Sequence, residues 1–402
     1  MRDGRITSES CGRYSKRAQR SEPQNPILSR SQWLRKLSSF RPGSVQQALG
    51  SLMADLKSKQ VYVAPPPATA LGLATAYQAS QALIVAVKLG IPDVLAKGAR
   101  TGVEIAQEAG SRPDMMLRLL RALAAFDVVE DLGTGEFELT AVGDCLRADI
   151  PNSLRSLILL YGSEVFWQTT ASLAECVTTG KNAFQLLHGT ESIFAYLEKR
   201  RDLAQTFDDA MTNRSSITGQ TIAECYDFGA VNRLVDVAGG RGKMLASILK
   251  GHPHIHGTLF DLPRVVGNAL ELLSTEGVAG RCEIVAGDMF TSVPSGGDLY
   301  LLARIIHDWD DLRAIEVLRS CRRAMAQKAK LLIIDRVMPE RVEPGPSAQS
   351  NALADLTMMM FTDGGRERTA KQFEALVSAS GLRLERVIPM PILDSLIEAT
   401  PI

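Results

Sequence analysis

Leu234-Val-Asp-Val-Ala-Gly-Gly-Arg-Gly-Lys-Met-Leu245 decides the fold. The apolar run Leu234–Val237 reads as a short buried parallel strand. Gly239, Gly240 and Gly242 follow, where the backbone turns tightly and passes close to a ligand. An amphipathic helix begins at Met244, so the turn sits at a helix N-terminus. Strand, glycine turn and helix open a nucleotide-binding βαβ unit. A dinucleotide fingerprint needs glycine at its first, third and sixth positions. Read from Ala238, those positions hold Ala238, Gly240 and Lys243; read from Gly240, they hold Gly240, Gly242 and Leu245. Neither frame fits, which leaves another nucleotide-type ligand or a purely structural turn.

Downstream the chain alternates strand and helix. Gly257–Asp261, Arg281–Val285, Leu299–Leu302 and Lys330–Ile334 have the length and apolarity of buried strands. Helices are expected over Val265–Leu273, Asp311–Ala326 and Ala370–Gly381. Acids at strand ends, Asp261 and Asp335 with Asp288 just past the third run, face one edge of a parallel sheet, where α/β proteins bind ligands. Asp261 suits a pair of ribose hydroxyls, and Asp288 with Met289 suits the amino group and face of an adenine. Ribose occurs in adenosylmethionine and in NAD alike, so Asp261 does not separate them.

The 402 residues imply two domains or three small ones, and 45% hydrophobic content a sizeable core. A net charge of +0 argues against a whole-protein nucleic-acid or membrane role. Residues 1–44 hold ten Lys or Arg against three Asp or Glu, with prolines at 23, 26 and 42, and read as a disordered basic tail. A transit peptide has the same composition. The six cysteines are scattered without a CxxC, which points to reduced thiols and a cytoplasmic setting. No run of 18 apolar residues appears, so no membrane span is expected.

A helix is expected over Val45–Ser58, closed off by Pro65-Pro-Pro67. Ala70–Leu89 is a long apolar helix uncharged until Lys88, too apolar for a lone monomer unless the next helical block or another subunit covers it. Thr101 caps Val103–Ala109, and Ser111 starts Asp114–Phe126. Val128–Glu130 and Glu136–Leu139 flank a Gly133-Thr-Gly135 turn. Helices plus a hairpin make a winged-helix arrangement. Arg112, Arg118 and Arg121 are diluted by Asp114, Asp127, Glu130 and Asp131, so an interaction domain is favoured over DNA binding. Residues 151–230 are helical again, over Trp167–Val177, Ala183–His188, Ile193–Leu197 and Asp202–Cys225.

In order and spacing these motifs resemble the caffeate-type plant and bacterial small-molecule O-methyltransferases, which use S-adenosyl-L-methionine without a metal. Asp236 before its glycine cluster resembles the first motif of adenosylmethionine-dependent methyltransferases. The other matches are His252-Pro253 with Phe260-Asp-Leu-Pro263, Gly287-Asp-Met-Phe290, His307-Asp-Trp-Asp-Asp311 and Gly364-Gly-Arg-Glu-Arg-Thr369, with weaker ones upstream; together they span about residues 70–390. The resemblance implies an α/β protein: a Rossmann-like class I methyltransferase domain over 221–402, and an N-terminal helical, winged-helix-like dimerisation domain over 45–220. It implies a homodimer acting on a small aromatic or polyketide-like acceptor of secondary metabolism, with no nucleic-acid or membrane partner.

Carried onto matching positions, the family's roles make His307 the general base, oriented by Asp335 and Glu367. Cofactor binding falls to Asp236, Gly239, Gly240, Gly242, Asp261, Leu262, Asp288, Met289, Arg304 and Ser215. Phe207, Met211, Met358 and Phe361 flank the acceptor. Two positions depart from the family: Ala238 replaces a glycine, and Ala303 a lysine, with Arg304 beside it.

The chemistry agrees. A sulfonium methyl is already activated, so positioning does most of the work. A phenol of pKa about 10 also needs its proton removed, and a basic imidazole needs an acid on its other nitrogen. The base should then show a pH limb near an ordinary histidine, roughly 6.5. Other readings stay open: His307 as a helix cap, an amine acceptor needing no base, a relative that binds adenosylmethionine without transferring methyl, and a DNA-binding regulator. His252, His254 and His256 read as a surface loop rather than a metal site, since no cysteine or acid completes one.

Overall fold

The computed structural model describes residues 65–402. The basic tail and the helix expected over Val45–Ser58 lie outside the described residues. The apolar helix runs from Pro66 to Lys88, starting earlier than the expected Ala70; proline is tolerated in a first turn, whose N–H groups have no intrahelical partner. Within this helix only Ile84, Ala86 and Val87 are buried. By length and composition it is long and apolar enough to cross a membrane, which the count of contiguous apolar residues did not register.

The winged unit forms as the hairpin pattern implies. Thr101 accepts a hydrogen bond from the Glu104 amide while the Glu104 carboxylate accepts from the Thr101 amide, a reciprocal cap that starts Gly102–Glu108. The next helix, Pro113–Ala125, starts at a proline rather than at Ser111. Strands β1 (Arg100–Thr101), β2 (Val129–Asp131) and β3 (Glu136–Leu139) pair antiparallel in the order β1-β3-β2. β1 is two residues long, too short for a periodicity to show. Ile105, Leu120, Leu123 and Phe137 fill the core beneath them.

In the second helical block the helix expected over Trp167–Val177 is two, Glu164–Ala171 and Leu173–Thr179. Ser172 separates them, its hydroxyl bonded back to the Gln168 carbonyl, a local bond that competes with helix propagation. Ala183–His188, Ile193–Leu197 and Arg201–Cys225 follow.

The remaining strands are β4 (Arg233–Val237), β5 (His256–Asp261), β6 (Cys282–Ala286), β7 (Leu299–Ala303), β8 (Lys330–Asp335), β9 (Val337–Met338), β10 (Arg368–Thr369), β11 (Leu382–Pro389) and β12 (Ser395–Pro401). Seven form one sheet in the order β11-β12-β8-β7-β4-β5-β6. β8, β7, β4, β5 and β6 run parallel, β12 is antiparallel to β8, and β11 is antiparallel to β12. Neighbouring side chains of one strand point to opposite faces. Leu234 and Leu301 join Leu245 and Leu249 on one side of the sheet; Val235 and Leu302 join Leu318 and Phe373 on the other. Helices therefore cover both faces, which is why these strands read as unbroken apolar runs. The segment after β5 breaks into Pro263–Val266 and Ala269–Thr275 instead of one helix.

β4 is flanked by β5 on one side and β7 on the other, so the strand order reverses at β4. The crevice beyond the carboxyl ends of these strands is where such sheets bind ligands.

Candidate active site

The first wall is the turn after β4. Ala238 adopts φ 55, left-handed backbone that costs an L residue about 1–2 kcal/mol. A Cβ on Gly239 would lie 2.5 Å from the Asp236 carboxyl, so only glycine lets the turn fold over that acid. The amides of Gly240 and Leu262 donate to the two carboxylate oxygens of Asp261, at 2.8 and 2.6 Å. Asp236 is 1% exposed and its Oδ2 has no hydrogen-bond partner. Burial, then the charge of Asp261, pushes its pKa up to about 7. Burial also raises Asp261, against its two amide donors. Gly242 caps the helix Lys243–Gly251 and lies outside the cavity lining.

The second wall follows β7. His307 sits on a single short helical turn, 6% exposed. Its Nδ1 is 3.1 Å from Glu367 Oε1 and 3.6 Å from Asp335 Oδ1, while Nε2 is 3.7 Å from Asp308 Oδ1. Asp335 ends β8, and Glu367 immediately precedes β10. The parallel pairing of β9 with β10 joins the two segments. A Cβ on Gly365 would meet the His307 carbonyl at 2.5 Å, and the Arg366 amide donates to that carbonyl at 2.8 Å. Arg368, wholly buried, donates to the carbonyls of Ile306 and Trp309 at 2.8 and 2.7 Å and is paired with Asp311. The Gly364–Thr369 motif is thus the clasp that presses Glu367 onto His307.

Burial alone would lower the His307 pKa, but the charge of Asp335, the Glu367 hydrogen bond and Asp308 outweigh it and push it up to about 9. The limb expected near 6.5 therefore moves upward. Burial pushes Asp335 up to about 8 and Asp308 up to about 6. Both Asp335 oxygens and Glu367 Oε2 lack a hydrogen-bond partner.

Between the walls lies a cavity of about 490 Å³. It is lined by Asp236, Gly239, Gly240, Asp261, Leu262, Asp288, Met289, Ser215, Arg304 and His307, with Phe207, Met211, Met358 and Phe361. Asp335 and Glu367 stand behind His307, outside the lining. The Arg304 guanidinium is committed elsewhere: it donates to Asp394 at 2.9 Å and to Thr218. Asp288 is exposed, and one of its oxygens accepts from the Phe290 amide. Sequence reasoning gave no site role to Tyr161, Phe166, Phe194, Arg214, Asp308 and Trp309, which also line the cavity. Arg214 was the findable one, since it follows Met211 and Phe207 at helical spacing. Of the three histidines near residue 254, His252 and His254 bond the Ala223 and Phe228 carbonyls, and His256, expected in the loop, opens β5.

A sequence profile of the O-methyltransferase domain matches residues 170–383, and one of the O-methyltransferase dimerisation domain matches residues 71–149. The phenazine O-methyltransferase of Lysobacter antibioticus is 38% identical over 332 residues, 83% of this chain and 95% of that one. The chain belongs to the S-adenosylmethionine-dependent O-methyltransferase family. The O-demethylpuromycin-O-methyltransferase of Streptomyces alboniger is also 38% identical, over 83% of this chain and 88% of its own. A calicheamicin-biosynthesis methyltransferase solved with S-adenosylhomocysteine bound superposes with a TM-score of 0.74 at 33% identity, covering 85% of this chain and 100% of that one. The enzyme is thus a methyltransferase that uses S-adenosylmethionine, with a Rossmann-like domain and an N-terminal helical dimerisation domain.

Proposed function

We propose that the enzyme transfers a methyl group to a hydroxyl of a flat aromatic or polyketide-like acceptor, with His307 as general base. One observation carries this: a histidine on the cavity wall has Glu367 3.1 Å and Asp335 3.6 Å from the same ring nitrogen, Nδ1. Those acids fix the ring so that Nε2 takes the hydroxyl proton, and they stabilise the imidazolium that results. When bound, adenosylmethionine supplies a methyl on a sulfonium sulfur, open to in-line displacement.

The glycine turn fits that cofactor. Asp261 presents two oxygens already oriented by backbone amides, suited to ribose hydroxyls, and the unpartnered Asp236 Oδ2 adds an acceptor beneath Gly239. Asp288 and Met289 face an adenine, and Ser215 and Leu262 close the site. Phe207, Met211, Met358 and Phe361 sandwich the acceptor.

Curated relatives support an oxygen acceptor, and two support nitrogen: the 8-amino-8-demethylriboflavin N,N-dimethyltransferase of Streptomyces davaonensis at 34% identity and the phenazine-1-carboxylate N-methyltransferase of Pseudomonas aeruginosa at 32%. An amine needs no base. Turnover of His307→Ala on matched hydroxyl and amine acceptors, read as a mass gain of one methyl, tests the reading. Loss on the hydroxyl supports it; full turnover there overturns it.

We also propose a homodimer in the cytoplasm, built through residues 45–220. Leu73 and Tyr77 on the apolar helix are exposed, at 73% and 55%. Light scattering at micromolar protein should give twice the chain mass, and deletion of residues 1–44 should leave it unchanged.

A further inference from the structure

Arg214 sits on the helix Arg201–Cys225, three residues past Met211 and seven past Phe207, so the three share one face. It lines the same cavity and is half-buried. Three other arginines nearby are committed: Arg304 to Asp394 and Thr218, Arg241 to Asp209, and Arg336 to Ser350 and Asn351; Arg264, exposed, lines the cavity beside Asp208 and Asp261. The Arg214 guanidinium makes no hydrogen bond or ion pair with any described residue. A guanidinium carries five N–H donors in a planar fork that matches a carboxylate. Half-buried on the cavity wall, its donors are open to a ligand carboxylate that can take the fork.

Its surroundings say which end of the cavity it serves. Arg214 acts electrostatically on Asp308 and Asp394 and on the cations Arg304 and Arg336. Asp236, under the glycine turn, responds to Asp261 instead. Arg214 therefore belongs to the His307 side. Arg304 already pairs with Asp394, and the acid left facing Arg214 is Asp308, with which it forms no ion pair.

We propose that Arg214 receives a carboxylate of the bound acceptor, so that the enzyme selects flat aromatic acids and presents their hydroxyl to His307. This rests on the reading of the cavity as an acceptor site. The methionyl end of adenosylmethionine is a second carboxylate with the same chemistry, and the experiment separates the two.

A panel of hydroxylated benzoic and naphthoic acids and their methyl esters is titrated calorimetrically into enzyme saturated with S-adenosylhomocysteine. Wild type should bind an acid about ten- to a hundredfold more tightly than its ester, the range for a charge-assisted pair. Arg214→Gln should erase that preference, and Arg214→Lys should keep part of it as a point charge without the fork. Affinity for S-adenosylhomocysteine, titrated alone, should stay within about twofold in both variants. Thermal midpoints should match wild type, since no protein contact is lost. Equal binding of acid and ester by wild type overturns the proposal, as does a preference that survives in Arg214→Gln. A cofactor affinity that falls while the acid preference persists assigns Arg214 to the methionyl carboxylate and overturns it as well. None of these readings depends on which atom is methylated, so a failure here is distinct from a failure of the hydroxyl assignment.

Discussion

At the glycine turn, Asp236 and Asp261 face each other with backbone amides as the donors to Asp261; across the cavity, Asp335 and Glu367 close on the imidazole of His307. Both corners bury acids, and in both burial raises a carboxyl pKa. The difference is the counter-charge. The histidine corner carries its own, locked in place by Arg368 and Gly365. The glycine corner offers acceptors whose donors come with a ligand. On the proposed assignment one corner moves a proton and the other holds a molecule, and the same residue type serves both because the neighbours differ.

The sharpest way to break this comparison is His307→Ala. Methyl transfer to a hydroxyl should slow by about 10²–10⁴, the range for a lost general base, with cofactor affinity nearly unchanged. A calorimetric loss of cofactor binding in this variant would mean that the corners are not independent. Asp261→Ala should do the reverse. It should weaken adenosylmethionine by about 1.5–3 kcal/mol, or roughly ten- to a hundredfold in Kd. Protection by NAD but not adenosylmethionine against thermal unfolding would overturn the glycine-corner assignment.

Glu367→Gln and Asp335→Asn should cost less rate than His307→Ala, because each only orients the ring. In wild type the base must be neutral, so the rate should rise with pH through about 9. Glu367→Gln removes a group that raises the pKa, and the limb should move down toward about 6.5. The same group couples to stability. The His307 pKa is raised on folding, so its contribution is full below about 6.5 and is lost as pH rises through about 9. Thermal midpoints should fall across that window. The smallest effect belongs to Ala238→Gly: relief of a left-handed alanine is offset by the added freedom of the unfolded chain, so stability should change by less than about 1 kcal/mol. A larger rise in the thermal midpoint would mean that Ala238 strains the turn beyond its backbone angle.

Strands β4 to β8 were legible because burial on both faces writes a contiguous apolar run. β12 is as deeply buried but carries Glu398, which is 4% exposed and bonded by the Tyr226 hydroxyl and Arg386. A buried glutamate in mid-strand looks like a loop until its partners, far along the chain, are known. β11 alternates charge with apolarity at an edge and was missed likewise. At the site, the residues with a motif around them were legible. The aromatics Tyr161, Phe166 and Phe194 were not, because cavity and core use the same residue types. The upward shift of His307 was unreadable for a different reason: the resemblance named Asp335 and Glu367, but whether the acids outweigh the burial of the ring depends on distances that only the folded chain sets.

The pairing of β9 with β10 ties the acceptor side of the cavity to the acid behind the histidine. Between β9 and β10 the chain leaves the sheet, forms the helix Pro346–Phe361 with Met358 and Phe361 on the cavity, and returns. The excursion is a cassette clamped at both ends. Asp355, inside that helix, accepts the Glu367 amide at 2.8 Å, so the helix that carries Met358 and Phe361 to the cavity also holds the acid behind the histidine. A change of helix position that reshapes the acceptor's bed would therefore be felt at Glu367.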